Sequence, residues 1–352
     1  MTVDSYEAII GSISDDDVTK ALDELKQELS SANAFDALVD TYLKDGVSLV
    51  LGAGVSASCG APSWTELLLR MHAAAAKNRS VDLSGISSVY AESVATDGPL
   101  ISARLAAVGV SDTDDGFKES LRKEIYGSLH KDRSDLVQQL ARLAQMSEGR
   151  AGVKAVLTYN YDTLIEDEFD DLGRQYRRID RNDRGARHGI EVRHVHGFLG
   201  RTKLDAEWVV LTEGAYHAEY ASPFSWSNIV QLNAFRESSC VFVGLSMTDP
   251  NLRRLLEAAK QTAMPNHCCF LRRTSAEALQ DNLDAHWARR GRPKNVDKNR
   301  LQFRFQVAAA MADANRAAAL REFGVETIWY DDHAKLPSLI QSIREGKKGV
   351  TS

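Results

Sequence analysis

A glycine-containing segment near the start of the chain has the residue types and spacing of a phosphate-binding loop. Gly52-Ala53-Gly54-Val55-Ser56 follows the short apolar run Val47–Leu51, and an apolar helical pattern begins near Trp64. Two glycines at this spacing allow a sharp turn and leave backbone amides open to a phosphate group. The order of strand, glycine loop and helix is that of a dinucleotide-binding site.

This loop departs from the two best-known glycine patterns. Ala57 stands where a Gly-x-Gly-x-x-Gly sequence would have its third glycine. No Lys-Ser or Lys-Thr pair follows the glycines, which argues against a nucleoside-triphosphate loop. A tight strand-to-helix turn that binds nothing therefore remains an alternative at this point.

A second polar segment follows the apolar run 153–157. Thr158-Tyr159-Asn160-Tyr161-Asp162 leads from this run into a helical pattern. Ligands of open α/β sheets bind at the carboxyl ends of the strands, so Asn160 and Asp162 are candidate site residues. Asp162 could instead be an ordinary helix cap, although that alternative gives no reason for Asn160.

The strand-like segment 190–195 carries two histidines near its carboxyl end. We call each strand end, with the polar or glycine residues that follow it, a corner, and this is the third. His194 and His196 fall on the same face of a strand because side chains alternate. Two histidines on one face could bind a metal, but no third ligand has a suitable spacing. We predict a structural role for His194 and a chemical role for His196, which precedes Gly197 at the strand end.

The apolar run 240–245 leads into a fourth corner. Thr248 or Asp249 can cap the helix that follows, and Pro250 suits its first position. Gly244 and Ser246 are small enough to line a nucleotide groove.

The elements that must position these corners are strands alternating with helices. This alternation predicts an α/β fold with a Rossmann-like, doubly wound and mostly parallel sheet. We expect a helical preface at 1–45, which packs on the sheet or on another subunit, one domain at 46–346 and a tail at 347–352. A helical insert at about 66–150 would form a small subdomain beside the sheet.

We predict that two charged stretches are loops. Residues 173–189 are charged, and 274–300 are charged with a basic end. The second stretch is typical of a solvated, mobile loop, and nothing in the sequence supports a contact there with nucleic acid or a partner.

Composition excludes several classes of protein. The 352 residues carry a formal net charge of −6, which does not favour direct nucleic-acid binding. The cysteines form no Cys-x-x-Cys pair, so we expect no zinc ribbon and no metal. The amino terminus lacks the pattern of a secretory signal, and no apolar run approaches the ~20 residues of a membrane span. These features predict a cytoplasmic protein.

The four corners together resemble the sirtuin fold. Gly52-Ala53-Gly54-Val55-Ser56, Thr158-Tyr159-Asn160-Tyr161-Asp162, His196-Gly197 and Gly244-Leu245-Ser246 occur in that order, each after a strand. Protein-deacetylating sirtuins have Ile-Pro-Asp-Phe-Arg after the glycine loop and a zinc module, and this chain has neither. Three features resemble instead the sirtuin-like domains of prokaryotic antiphage-defence NAD hydrolases: Pro62-Ser63-Trp64, the pair Tyr161-Asp162, and the pattern Gly-Leu-Ser-x-x-Asp-Pro-x-Leu that ends at Leu252.

The resemblance implies that NAD is the substrate and that no metal is required. It implies cleavage of NAD to nicotinamide and ADP-ribose, with His196 as the base. Asn160 would hold the water or a ribose hydroxyl, and Asp162 would hold the ribose or the nicotinamide amide. The remaining predicted contacts are Gly52, Ala53, Gly54 and Ser56 with the diphosphate, and Gly244 and Ser246 with the adenosine.

Two other functions remain open on the sequence alone. One is an NAD-dependent protein deacylase, and the other is a non-catalytic subunit that senses NAD or ADP-ribose. Similar defence systems imply restraint of the activity by homo-oligomerisation or by a separate sensor, such as a HerA-like ATPase or an Argonaute-like protein. No membrane partner is expected.

Overall fold

The computed structural model of the chain describes residues 15–96, 98–130, 134–145, 149, 151–181, 188–204, 207–260, 266–290 and 298–350. Within these ranges the strands are β1 Val47–Leu51, β2 Val153–Thr158, β3 Tyr176–Ile179, β4 Ile190–His194, β5 Gly197–Phe198, β6 Trp208–Val209, β7 Ser239–Val243, β8 His267–Arg272 and β9 Val325–Tyr330. The α-helices are α1 Asp15–Glu28, α2 Ala32–Lys44, α3 Ala53–Ala57, α4 Trp64–Asn78, α5 Ser87–Thr96, α6 Pro99–Val110, α7 Asp114–Tyr126, α8 Asp135–Leu143, α9 Leu164–Asp171, α10 Glu213–Ala221, α11 Trp226–Glu237, α12 Pro250–Lys260, α13 Ala276–Arg290, α14 Lys298–Arg321 and α15 Leu336–Glu345.

Seven of the described strands form one sheet, in the order β3-β4-β2-β1-β7-β8-β9, and its pairings are parallel. Every residue of β1 is buried, as expected of a parallel strand covered on both faces. Because β1 lies between β2 and β7, the carboxyl ends of these three strands meet at the point where the strand order reverses. The predicted α/β fold with a mostly parallel sheet is confirmed.

Helices cover both faces of this sheet. Helices α2, α8, α9 and α15 share an apolar core with one face. Helices α11, α12 and α14 share another core with the opposite face. Phe35, Leu38 and Tyr42 place α2 in the first core, so this part of the predicted helical preface packs on the sheet. None of the helices in the described ranges combines the length and apolar character needed to cross a bilayer.

Helices α4, α6 and α7 form a third apolar core beside the sheet. Met71, Ala103 and Leu121, one from each helix, are fully buried there. Tyr161 and Leu211, which lie on the sheet side, pack into the same core. Helices α4, α6 and α7 are therefore attached next to the carboxyl edge of the sheet, whereas α8, from the same predicted insert, packs on the face of the sheet.

A buried ion pair strengthens this attachment. The Arg122 and Glu207 side chains form an ion pair and are 6% and 4% exposed. Arg122 Nε also donates to the Gly200 carbonyl at 2.9 Å, and the Gly200 amide donates to Glu207 Oε1 at 2.8 Å. The pair thus joins α7 to the loop that follows β5.

The prediction of loops in the two charged stretches was wrong in part. Residues 173–189 include the edge strand β3, whose four residues are all half-buried and so lack a clear alternation. Residues 274–300 include the helix α13, whose mainly exposed and polar sequence gives little apolar periodicity. Strand β6 is only two residues long and pairs antiparallel with β5. Residues 1–14 of the predicted preface lie outside the described residues.

His267 makes the stability of the sheet depend on pH. Its Nδ1 accepts a hydrogen bond from the Cys240 amide at 3.0 Å, so the folded protein favours the neutral ring. Burial lowers the pKa of His267 to about 4, against a smaller opposing effect of the Phe235 backbone. Between pH 6.5 and about 4 the unfolded chain binds a proton that the folded chain does not, so stability falls as the pH falls through this window.

We expect His267 to contribute at most roughly 3 kcal/mol to this loss of stability. Urea unfolding at pH 7.5 and at pH 4.5 measures the loss for the wild-type protein. His267→Asn keeps an acceptor for the Cys240 amide without a titrating ring, so its midpoint should change less between the two pH values. An equal change in both proteins would contradict the assignment.

Candidate functional site

A cavity of about 710 Å³ lies at the carboxyl ends of β1, β2, β4 and β7 and is walled on the other side by α4, α6 and α7. Its volume is within the range of small-molecule and cofactor sites. Of the predicted site residues, those that line it are Ala53, Ser56, Asn160, Asp162, His196 and Ser246. The wall formed by the helices is mostly apolar and includes Trp64, Leu67 and Ile125. Within the described part of the chain, no lysine or arginine lines the cavity.

The predicted glycines lie beneath the cavity, where two loops meet backbone to backbone. The Gly52 and Gly54 amides donate to the carbonyls of Val243 and Gly244, each at 2.9 Å. A Cβ added at Gly54 would lie 2.8 Å from the Gly244 Cα. Gly244 has φ +72°, and a Cβ there would lie 2.6 Å from the Val55 amide nitrogen. The amides expected to face a phosphate at Gly52 and Gly54 are therefore already bonded within the protein.

Ser56, Asn160 and Asp162 form one hydrogen-bonded group on the cavity floor. Asn160 Nδ2 donates to Ser56 Oγ at 2.8 Å and to the Gly52 carbonyl at 3.0 Å. Ser56 Oγ in turn donates to Asp162 Oδ2 at 2.5 Å. The other carboxyl oxygen accepts from the Leu164 amide at 3.1 Å. Asp162 therefore binds the first residue of α9, whose N-cap residue is Thr163, and is also a member of the cavity floor.

The environment of Asp162 affects its charge. Burial raises the pKa of this carboxyl, and the hydrogen bonds from Ser56 and the Leu164 amide oppose the increase. Ser56 Oγ, which donates to Asp162, also accepts from Asn160 Nδ2. Because Nδ2 makes both of its hydrogen bonds within the protein, the amide oxygen of Asn160 is the atom available to a ligand.

His196 presents its imidazole to the cavity from the end of β4. Burial lowers the pKa of His196, and the negative charge of Asp249 partly offsets this effect. No side-chain hydrogen bond to the imidazole occurs within the described ranges, and the ring packs edge-on against Tyr159 with centroids 4.5 Å apart. The ring is therefore neutral near pH 7 and is free to accept a proton from a bound molecule.

Contacts within the protein also fix the backbone at His196 and at the residue after it. Its carbonyl accepts from the Val210 amide at 2.7 Å. Gly197 has φ +103°, and a Cβ at this position would lie 2.0 Å from the Trp208 carbonyl oxygen. The glycine after the histidine is thus required by the pairing of β5 with β6.

His194 occupies a different environment on the same strand. It is fully buried and does not line the cavity. Its Nε2 lies 2.7 Å from Glu166 Oε1, and its Nδ1 lies 3.2 Å from the Asn160 carbonyl oxygen. This arrangement agrees with the structural role predicted for His194.

Several residues around the cavity were not predicted as site residues. Tyr159 and Tyr161 stood inside a predicted motif, in which only Asn160 and Asp162 were predicted to be site residues. Asp249 was considered only as a helix cap, which it is, since its carboxylate accepts from the Leu252 amide at 2.7 Å. Tyr216, on α10, packs at the cavity wall, and no local sequence signal indicates that position.

In the part of the chain that the structure describes, no three or more histidine, cysteine, aspartate or glutamate side chains are placed to hold one ion. The four cysteines are free and buried.

Comparison with known proteins relates part of the chain to a family. A family model described as a SIR2-like domain matches residues 154–291, a range that contains Asn160, Asp162, His196 and Ser246. No curated protein matches the chain. The match supports a sirtuin-like domain, and the parallel sheet is consistent with a sirtuin-like α/β fold and an NAD-related activity.

Proposed function

We propose that this sirtuin-like domain is an NAD hydrolase that cleaves NAD to nicotinamide and ADP-ribose. The observation that carries the proposal is the convergence of Asn160, Asp162 and the neutral His196 ring on one cavity of about 710 Å³. Hydrolysis at a ribose carbon needs a placed water, a base and a group that stabilises positive charge. These three side chains supply those functions.

The reaction breaks the bond between C1′ of the ribose and the pyridine nitrogen. Nicotinamide leaves with the bonding electron pair, and positive charge develops on the ribose. Water adds its oxygen to C1′ and gives a proton to the His196 imidazole. Asn160 Oδ1 accepts a hydrogen bond from the water or from a ribose hydroxyl, because Nδ2 is engaged with Ser56 and Gly52. The Asp162 carboxylate stabilises the cationic ribose.

Separation of the products after incubation with NAD tests the proposal. Free nicotinamide and ADP-ribose without any peptide support hydrolysis. A requirement for an acylated peptide, with acyl-ADP-ribose as product, would instead support a deacylase, an alternative favoured by the apolar wall of Trp64, Leu67 and Ile125. NAD binding without turnover would support a sensing subunit.

We further propose that the enzyme acts in bacterial antiphage defence by depleting NAD. The support is the resemblance of the motifs, and control by homo-oligomerisation or by a separate sensor protein forms part of this proposal. NAD measured in infected cells that carry the wild-type chain should fall, while cells that carry Asn160→Ala should keep their NAD. Equal NAD levels in the two strains would contradict the proposal.

The activity should depend on the protonation of His196. The base form exists above the folded pKa and is lost as the pH falls through it, and burial sets that pKa below 6.5. We therefore expect the acid limb of kcat/KM to lie below pH 6.5. Asp249→Asn keeps a helix cap but removes the charge that raises the pKa, so it should move the limb to lower pH. A limb above pH 6.5 would argue against His196 as the base.

A further inference from the structure

A chain of buried hydrogen bonds runs behind His196. Tyr159 Oη donates to Gln231 Oε1 on α11. Gln231 Nε2 donates to the carbonyl and to the hydroxyl of Ser227, both at 3.1 Å. Ser227 Oγ donates to the Val195 carbonyl at 2.6 Å. Gln231 is 0% exposed and Ser227 is 2% exposed, so water does not compete for these bonds.

The two ends of this chain of bonds meet His196 from different sides. At one end the Tyr159 ring packs edge-on against the imidazole, with an interplanar angle of 69°. At the other end Ser227 holds the carbonyl of Val195, the residue directly before His196. The imidazole has no hydrogen bond of its own within the described ranges, so its edge-on contact with the Tyr159 ring restricts its rotation.

We propose that Tyr159 and Gln231 are positioning residues that hold the His196 imidazole in its orientation towards the cavity. This inference rests on the proposed hydrolysis, in which His196 takes the proton from water. The Tyr159 hydroxyl is bonded to Gln231, and Gln231 does not line the cavity. Gln231 therefore acts only through Tyr159 and Ser227. A base displaced by about 1 Å can cost a factor on the order of 100 in rate.

Tyr159→Phe and Gln231→Leu test the hydrogen bond from its two ends. We expect each variant to lower kcat by a factor on the order of 10 to 100, with KM close to that of the wild type. Because both changes remove the same bond, the double variant should be no slower than the slower single variant. Gln231→Glu should restore most of the activity, since burial keeps its carboxyl protonated and able to replace the amide.

Gln341→Leu is the matched control. Gln341 lies on α15, on the opposite face of the sheet, and its amide donates to Glu345 at 2.7 Å. We expect its kcat to equal that of the wild type. If Gln231→Leu does not fold, Tyr159→Phe and Gln231→Glu carry the test. Wild-type kcat in Tyr159→Phe, or multiplied losses in the double variant, would overturn the proposal.

A spectroscopic measurement separates this inference from the proposed function. In protein labelled with carbon-13 histidine, His196→Gln identifies the signal of the His196 ring. We expect one sharp signal in the wild type and a broadened or shifted signal in Tyr159→Phe. An unchanged signal would overturn the positioning role whatever the activity. Absence of NAD cleavage by the wild type would overturn the proposed function alone.

Discussion

Replacement of His196 by alanine is expected to lower the rate of NAD hydrolysis by a factor on the order of 10² to 10⁴. The imidazole is the base in the proposed mechanism, and the Tyr159 hydroxyl beside it is bonded to Gln231. Release of nicotinamide, followed by chromatography under single-turnover conditions, measures the change in the chemical step.

The control for this variant is His286→Ala, on the exposed helix α13 outside the cavity. Its activity should match that of the wild type. Calorimetric titration of His196→Ala with NAD should still detect binding, because the proposed diphosphate contacts at Ala53 and Ser56 are intact. Turnover within a few-fold of the wild type would exclude His196 as the base and would require a different mechanism.

Removal of the Glu207 carboxylate should cost the protein about 3–5 kcal/mol of stability. Glu207→Ala leaves the Arg122 guanidinium buried, with Glu119 and the Gly200 carbonyl as its remaining partners. The Gly200 amide also loses its acceptor. Because this pair joins α7 to the loop after β5, we expect the loss of stability to be accompanied by loss of the cavity wall. Urea unfolding followed by circular dichroism gives the free energy.

Two further variants test whether the loss of stability comes from the unpaired buried charge. The double variant Arg122→Met/Glu207→Leu replaces the buried charges by apolar side chains, so it should be more stable than Glu207→Ala. Lys203→Ala breaks the ion pair with Asp115, whose two side chains are more than half exposed, and should have little effect. A Glu207→Ala protein as stable as Lys203→Ala would contradict the role assigned to the buried pair.

The sequence was sufficient to predict the corners of the sheet because each corner is local. The apolar run of β1 followed by glycines, and Asp249-Pro250 before α12, specify a strand end and a helix start within a few residues. Asn160 and His196 were then found at strand ends because ligands of parallel sheets bind there. Their roles in catalysis remain predictions that the variants above will test.

The contacts around those corners could not be predicted because they join distant parts of the chain. The contact of Gly54 with Gly244 assigns these glycines to loop packing, whereas the local pattern suggested room for a phosphate group. Gln231 reaches Tyr159 from a helix 72 positions away. Helix α13 was taken for a loop because an exposed helix needs no apolar stripe to satisfy its backbone.

The lack of lysine and arginine on the described cavity lining has a consequence for the strength of binding. A diphosphate in this cavity would be held by neutral polar groups. Attraction between full charges weakens as ions screen it, whereas short contacts with neutral donors change little. The dissociation constant for NAD should therefore be nearly the same in dilute buffer and in about 0.5 M sodium chloride.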